Sequence, residues 1–163
     1  MHGAPTESAE AVYEIRTLQE AKALAAQLAA AHPDPDRVVI GLTELLVNAV
    51  EHGNLGITFG EKAELLERGA LQAEIERRLA RPDLAARRVR VTLRREAGCV
   101  STRIEDEGEG FSFRPYLEVD PERALGENGN GIVIARMSFD DLAYHGRGNV
   151  VVAVVRLTPD TQP

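Results

Sequence analysis

The chain has 163 residues, of which 44% are apolar, and a formal net charge of −7. This length suits one domain over residues 1–163, and the acidic balance argues against nucleic acid as a partner, because phosphate contacts need a basic face. The single cysteine excludes a disulfide framework, and the sequence contains neither a signal peptide nor an apolar run of the ~18 residues that span a membrane, so we expect a cytoplasmic protein with no membrane partner.

The first half of the chain predicts one strand followed by two helices. Alternation predicts a short strand over residues 12–16, and an Ala- and Leu-rich run predicts a helix over 18–32. The prolines of HPDPD (32–36) end that helix. Apolar residues at three- and four-residue spacing then predict a helix over 37–52, with Gly-Asn at 53–54 typical of a helix C-terminal cap.

The second half predicts a charged helix, four strands and a further helix. Residues 58–87 are rich in Glu, Arg, Ala and Leu and predict one amphipathic helix that ends at Arg81–Pro82. Strands are predicted at 89–95, at 99–106, and in the segments DDLAYH and NVVVAVVRL near the end of the chain. Strands in adjacent pairs with helices grouped together indicate a layered α+β fold rather than alternating βαβ units.

Two polar residues, Glu44 and Asn48, interrupt the apolar frame of the predicted helix 37–52. Because they are four residues apart, they lie on the same helix face, one turn apart. A carboxylate and an amide oxygen suit a hard cation such as Mg²⁺, and the carboxylate could equally position an attacking hydroxyl. A solvated polar stripe explains the pair equally well.

The segment IEDEGEGF (104–111) places Asp106 where an apolar strand ends and follows it with Gly108 and Gly110. Glycine lets the main chain approach a flat ligand closely, and an aspartate can accept a hydrogen bond from an exocyclic amine such as that of adenine. Taken alone, the segment is more typical of a plain acidic turn.

A glycine-rich loop, GENGNG (126–131), runs directly into a predicted helix. The free N–H groups and the dipole at such a helix start would bind an anion, typically phosphate. Neither the P-loop nor the dinucleotide fingerprint is present, so phosphate would bind by another scheme, and a flexible loop is the alternative. His52 is interpreted as serving the helix end, and Cys99 as a small core residue.

These three segments, in this order, resemble the motifs of the Bergerat-fold ATPases, the superfamily of gyrase, mismatch-repair, heat-shock chaperone and histidine-kinase ATP-binding domains. ELLVNAVEHGN resembles the N-box, IEDEGEGF the D-x-G-x-G-F box, and NGNGIVIARM the second glycine box. Within the superfamily the chain is most similar to the anti-sigma-factor serine/threonine kinases. The resemblance covers roughly residues 10–55 and 88–157.

The resemblance implies a two-layer α/β sandwich with a mixed, mostly antiparallel sheet and helices on one face. It implies ATP and Mg²⁺ as cofactors, with Asp106 on the adenine amine and Gly108 and Gly110 shaping the adenine pocket. Asn48 would hold Mg²⁺ against the phosphates, and Glu44 would act as general base on the incoming hydroxyl. Gly129 and Gly131 would let the loop close over the phosphates.

The implied function is a serine/threonine protein kinase of a bacterial partner-switching circuit. Its partners would be a small antagonist protein as substrate and, as a further candidate, a sigma factor; a homodimer is also allowed. Two alternatives stay open: an ATP-binding module that sequesters a protein with little turnover, and a histidine-kinase-like domain acting in trans. The chain departs from the family in the insert at 58–87 and in Gly148–Asn149, where relatives carry Gly-Thr.

Overall fold

The sheet of this computed structural model, which describes residues 8–114 and 131–157, has five strands in the spatial order β1-β2-β3-β5-β4. Every neighbouring pair of these strands is antiparallel. The strands are β1 (Ala9–Ile15), β2 (Val89–Glu96), β3 (Cys99–Glu105), β4 (Asp141–His145) and β5 (Val150–Arg156). The four later strands lie where the alternation predicted them, whereas the first begins three residues before its predicted start at 12.

Helices cover one side of this sheet and connect its strands. They are α1 (Leu18–Ala29), α2 (Pro35–Asn48), α3 (Phe59–Glu67), α4 (Leu71–Leu79), α5 (Pro82–Ala85) and α6 (Gly131–Ser138), with a π-helical turn at Ala49–Asn54 directly after α2. The predicted helix 37–52 is therefore two elements, an α-helix and a wider turn. Over the two described stretches, no helix has the length and apolar character needed to cross a membrane.

The core forms between α1, α2 and the sheet face that they cover. Alternate strand residues such as Val91 and Ile104 point into this face and are fully buried, and they pack in one cluster with Leu28 of α1 and Leu42 of α2. The strand residues between them, such as Arg103, lie on the exposed face. The α+β class and the two-layer sandwich are thus confirmed, with a described sheet that is antiparallel throughout.

The prediction of one helix over 58–87 is wrong, because the segment folds into α3, α4 and α5. Gly69 separates α3 from α4 in a left-handed conformation (φ +65°) that ends the first helix. Ile75 and Leu84 are buried in the main core, and the Arg78 guanidinium donates to the Leu55 carbonyl oxygen at 2.9 Å. The insert is therefore packed onto the domain rather than held away from it.

Candidate functional site

A cavity opens where α2 and its π-helical turn meet one end of the sheet. Glu105 and His145 both pair with Val150, so the end of β3, the end of β4 and the start of β5 lie side by side. The space between its walls, together with the open solvent at its mouth, is about 480 Å³. Its lining includes apolar residues (Leu45, Ile104, Ile132, Val151), aromatic rings (Phe59, Phe111, Tyr144) and polar side chains (Asn48, His52, Asp106, Asn149).

Asp106 follows the last residue of β3 and is held in the cavity wall by backbone contacts. Its Oδ1 accepts a hydrogen bond from the Gly108 N–H at 2.8 Å, and its own N–H donates to the Asn149 carbonyl oxygen at 3.0 Å. Its carboxylate lies directly against the Cα of Gly53, so closely that a Cβ there would fall 2.6 Å from Oδ2. The loop 106–108 therefore depends on glycine in the π-helical turn.

Burial raises the pKa of Asp106 from 3.8 to about 6, and the Gly108 hydrogen bond and the positive charge of Arg87 oppose that rise. Among the described residues, no cation lies within ion-pair distance of this carboxylate. A partly desolvated acceptor in a cavity wall, lacking a described ion-pair partner, is typical of a functional position. A plain acidic turn does not account for it.

The loop after Asp106 is locked onto the β4–β5 turn. The Phe111 N–H donates to the Arg147 carbonyl oxygen at 2.9 Å, and Gly110 adopts φ +83°, a conformation that L side chains rarely adopt. Gly110 also lines the cavity, whereas Gly108 is not part of the lining and instead packs on the Gly53 carbonyl. The two glycines that the motif pairs thus have separate positions in the fold.

A polar corner adjoins the cavity where α6 begins against α2. A Cβ on Gly131 would lie 2.5 Å from Glu44 Oε2 and 3.2 Å from Asn48 Nδ2, so these three residues are in mutual contact range. Asn48 lines the cavity, and its Nδ2 is buried without a hydrogen-bond partner in the described structure. Leaving such a group unpaired is costly, and a ligand would relieve the cost. A solvated polar stripe therefore does not describe Asn48.

The polar corner offers oxygen ligands for a cation but no complete protein cage. In residues 8–114 and 131–157, no group of three or more His, Cys, Asp or Glu side chains could hold a metal. Mg²⁺ is commonly held by one or two protein oxygens together with substrate phosphates and water. The amide of Asn48 fits that pattern, because its Nδ2 has no partner among the described residues and the amide can turn its oxygen toward a cation.

Several lining residues were not predicted from the sequence as site residues. His52, interpreted as a helix-end residue, faces the cavity from the π-helical turn, and Phe59 reaches it from the insert. Tyr144 also lines the cavity, and burial raises the pKa of its hydroxyl well above the usual range. His52 lies inside the motif ELLVNAVEHGN and Phe59 lies beyond it, but a single residue gives no periodic signal, so only the tertiary structure shows these contacts.

Asn149 and Gly129 are two further positions that the motifs single out. Asn149 lines the cavity, and its Nδ2 donates to the Asp106 carbonyl oxygen at 3.4 Å. Asn149 thus helps to hold the main chain of Asp106 in place. Gly129 and the rest of the loop 126–130 lie outside the described residues, so its predicted phosphate contact stays a prediction.

Comparisons with protein-family models and with curated protein sequences find no match for this chain.

Proposed function

We propose that the protein is a Mg·ATP-dependent serine/threonine protein kinase of the anti-sigma-factor type with a Bergerat ATP-binding fold. The observation that carries this proposal is the shared cavity: Asp106 from the end of β3 and Asn48 from α2 line one pocket, with Glu44 and Gly131 at its polar corner. Separate segments with three different chemical roles meet at one place. A globular fold with coincidental motifs would have no reason to bring them together.

The apolar part of the cavity supports a purine-binding role. Ile104 and Val151 supply flat aliphatic surface, and Phe111 and Tyr144 supply rings in edge-to-face contact with centroids 5.3 Å apart. Asp106 is a hydrogen-bond acceptor in this wall, and with a pKa of about 6 it is mainly ionised at pH 7. An ionised carboxylate accepts hydrogen bonds and cannot donate, which matches the exocyclic amine of adenine.

The polar corner supports binding of phosphates and Mg²⁺. The described part of α6 runs from Gly131, and the positive end of its dipole favours negative charge. Asn48 would hold the cation beside these phosphates. Mg²⁺, when bound, supplies neutralisation of the phosphate charge, which is the main requirement of phosphoryl transfer.

The proposed reaction is transfer of the γ-phosphoryl group to a seryl or threonyl hydroxyl of a small antagonist protein. The hydroxyl oxygen forms a bond to the γ-phosphorus as the bond from that phosphorus to the ADP oxygen breaks. Glu44 takes the hydroxyl proton, because it is the carboxylate at the corner where the phosphates would lie. A sigma factor is a second proposed partner, in keeping with the family that the motifs resemble.

One observation favours a second candidate, an ATP-dependent binding module with little turnover. Phe59 belongs to the insert and also lines the cavity. A nucleotide in the cavity would therefore contact the insert. A binding module and a kinase differ in whether phosphate leaves the nucleotide. Acid-labile phosphate on an added protein would instead indicate a histidine-kinase-like activity in trans.

Calorimetric titration with Mg·ATP tests the site, and phosphate transfer tests the reaction. We expect wild type and Glu109→Gln to bind Mg·ATP alike, because Glu109 is an exposed carboxylate of the same segment. Asp106→Asn should bind at least tenfold more weakly, since it loses a charged acceptor. Absence of wild-type binding at millimolar ATP would end the ATP-site proposal.

Radiolabelled ATP with a purified antagonist protein of the partner-switching type then distinguishes the two candidates. A kinase yields acid-stable phosphoserine or phosphothreonine in wild type and almost none in Glu44→Gln. Tight ATP binding with no transfer to protein or water would favour the binding module.

A further inference from the structure

His52 and Asp106 both line the cavity, and His52 belongs to the π-helical turn that follows α2. The turn Ala49–Asn54 is wider than an α-helical turn, and it closes with the Leu55 N–H donating to the Val50 carbonyl oxygen at 3.0 Å. His52 lines the cavity, and the next residue, Gly53, is in direct contact with the Asp106 carboxylate. Two residues able to form hydrogen bonds, His52 and Asp106, therefore line the same cavity.

The hydrogen bond on one side of the imidazole determines what the other side can do. The Nδ1 atom of His52 is bonded to the Ile57 carbonyl oxygen, and a carbonyl oxygen can only accept, so Nδ1 carries the hydrogen. In the neutral ring, Nε2 then has a lone pair and acts as an acceptor. Burial lowers the pKa of His52, more strongly than the Ile57 bond and Glu51 raise it, and this keeps the ring neutral at pH 7.

The insert keeps this ring in place. Phe59 packs on the imidazole with ring centroids 4.0 Å apart and planes 30° from parallel. One residue before His52, the buried carboxylate of Glu51 forms an ion pair with Lys62 of α3 at 2.6 Å. The backbone before the ring and the ring itself are therefore both tied to the first helix of the insert.

We propose that His52 is a specificity-determining residue of the nucleotide site, whose Nε2 accepts a hydrogen bond from the exocyclic amine of the base. This inference rests on the proposed ATP-binding function. An amine has two N–H groups, and two residues that line this cavity, His52 and Asp106, could each accept from one of them. A base with a carbonyl oxygen in that position would face two acceptors and no donor, which disfavours it.

Removal of the amine from the ligand and of Nε2 from the protein tests this contact directly. His52→Asn retains an amide that can donate to Ile57 in place of Nδ1 and lacks Nε2. Full-length wild type and this variant are titrated with ATP and with purine riboside triphosphate, which has hydrogen in place of the amine. We expect the variant to lose about three- to tenfold in affinity for ATP, the size of one hydrogen bond, and to bind the amine-free ligand within about twofold of wild type.

The comparison of two ligands separates recognition from packing. An equal loss for both ligands would mean that His52 only shapes the cavity, and unchanged ATP affinity would mean that it makes no contact; either result overturns the inference and leaves the ATP site standing. His52→Gln places an amide near the Nε2 position and should recover part of the preference for ATP, with thermal melting as a check of folding. If wild type binds neither nucleotide, the proposed function fails together with this inference.

Discussion

Asp106→Asn should make the ligand-free protein more stable at neutral pH while it weakens nucleotide binding. Asparagine keeps the shape of the side chain and an oxygen that can accept from the Gly108 N–H, which now lies 2.8 Å from Oδ1. It removes the charge that burial disfavours. The substitution therefore imitates the protonated carboxyl, which the native structure prefers.

The size of this effect follows from the pKa of Asp106, which burial raises from 3.8 to about 6. A difference of about two pKa units is worth up to about 3 kcal/mol in the free energy of unfolding. Because the folded protein holds this proton more tightly than the unfolded chain, the carboxyl contributes stability below pH 3.8, and that contribution is lost as the pH rises to about 6. We therefore expect wild type and variant to be similar at pH 3.5 and to differ most above pH 7.

Urea unfolding of both proteins at pH 3.5, 5 and 8 measures the difference, with Glu109→Gln as the exposed control from the same loop. The stability gain of Asp106→Asn should grow between the first and last pH, and the control should show no such gain. A gain that is independent of pH, or a loss of stability at pH 8, would refute the argument that an ionised, desolvated Asp106 destabilises the empty site. At the same concentration of Mg·ATP, wild type should gain more stability than the variant, because the gain grows with the ratio of ligand concentration to Kd.

Three further outcomes are expected. Glu44→Gln should keep ATP affinity within about threefold while phosphate transfer to protein falls by about 10²–10⁴-fold, as loss of a general base does; equal rates in a radiolabel assay would remove Glu44 from the chemistry. Gly131→Ala should weaken Mg·ATP binding in calorimetry, because its Cβ would lie 2.5 Å from Glu44 Oε2, whereas Gly60→Ala meets nothing within 4 Å and should not. Ile75 is 2% exposed, so Ile75→Ala should lower the free energy of unfolding in urea by about 2–5 kcal/mol. Leu66 is 55% exposed, so Leu66→Ala should change it little. Equal effects of the two substitutions would show that the insert is not part of the core.

Local patterns predicted most of the elements, because each depends on neighbouring residues. Alternation in VRVTLRR places apolar residues on one side of β2, and the spacing of Leu42, Leu45 and Leu46 places them on one side of α2. The insert was mispredicted because its Leu and Ile spacing continues a helical pattern while Gly69 interrupts the backbone. The apolar period alone does not show where a glycine turns the chain.

The candidate site was predictable in part for the same reason. Glu44 and Asn48 share a helix face by their spacing, and Asp106 ends an apolar strand, so both features are visible in short windows of sequence. The approach of Gly131 to Glu44, and of Gly53 to Asp106, joins residues far apart in the chain. Such contacts depend on how α2 packs against α6 and on where the sheet ends, and no local pattern encodes them.

The sequence by itself determined the α+β class, the strands and helices that carry the motifs, and the residue types able to bind an amine, a cation and phosphate. Only the tertiary structure decided that Asp106 and Asn48 line one cavity, that Asp106 is desolvated enough for its pKa to rise to about 6, and that His52 and Phe59 complete the wall. The physical reason is the distance along the chain over which each effect acts. Helix and strand periodicity act over a few residues, whereas desolvation and cavity shape depend on every segment that packs around a side chain.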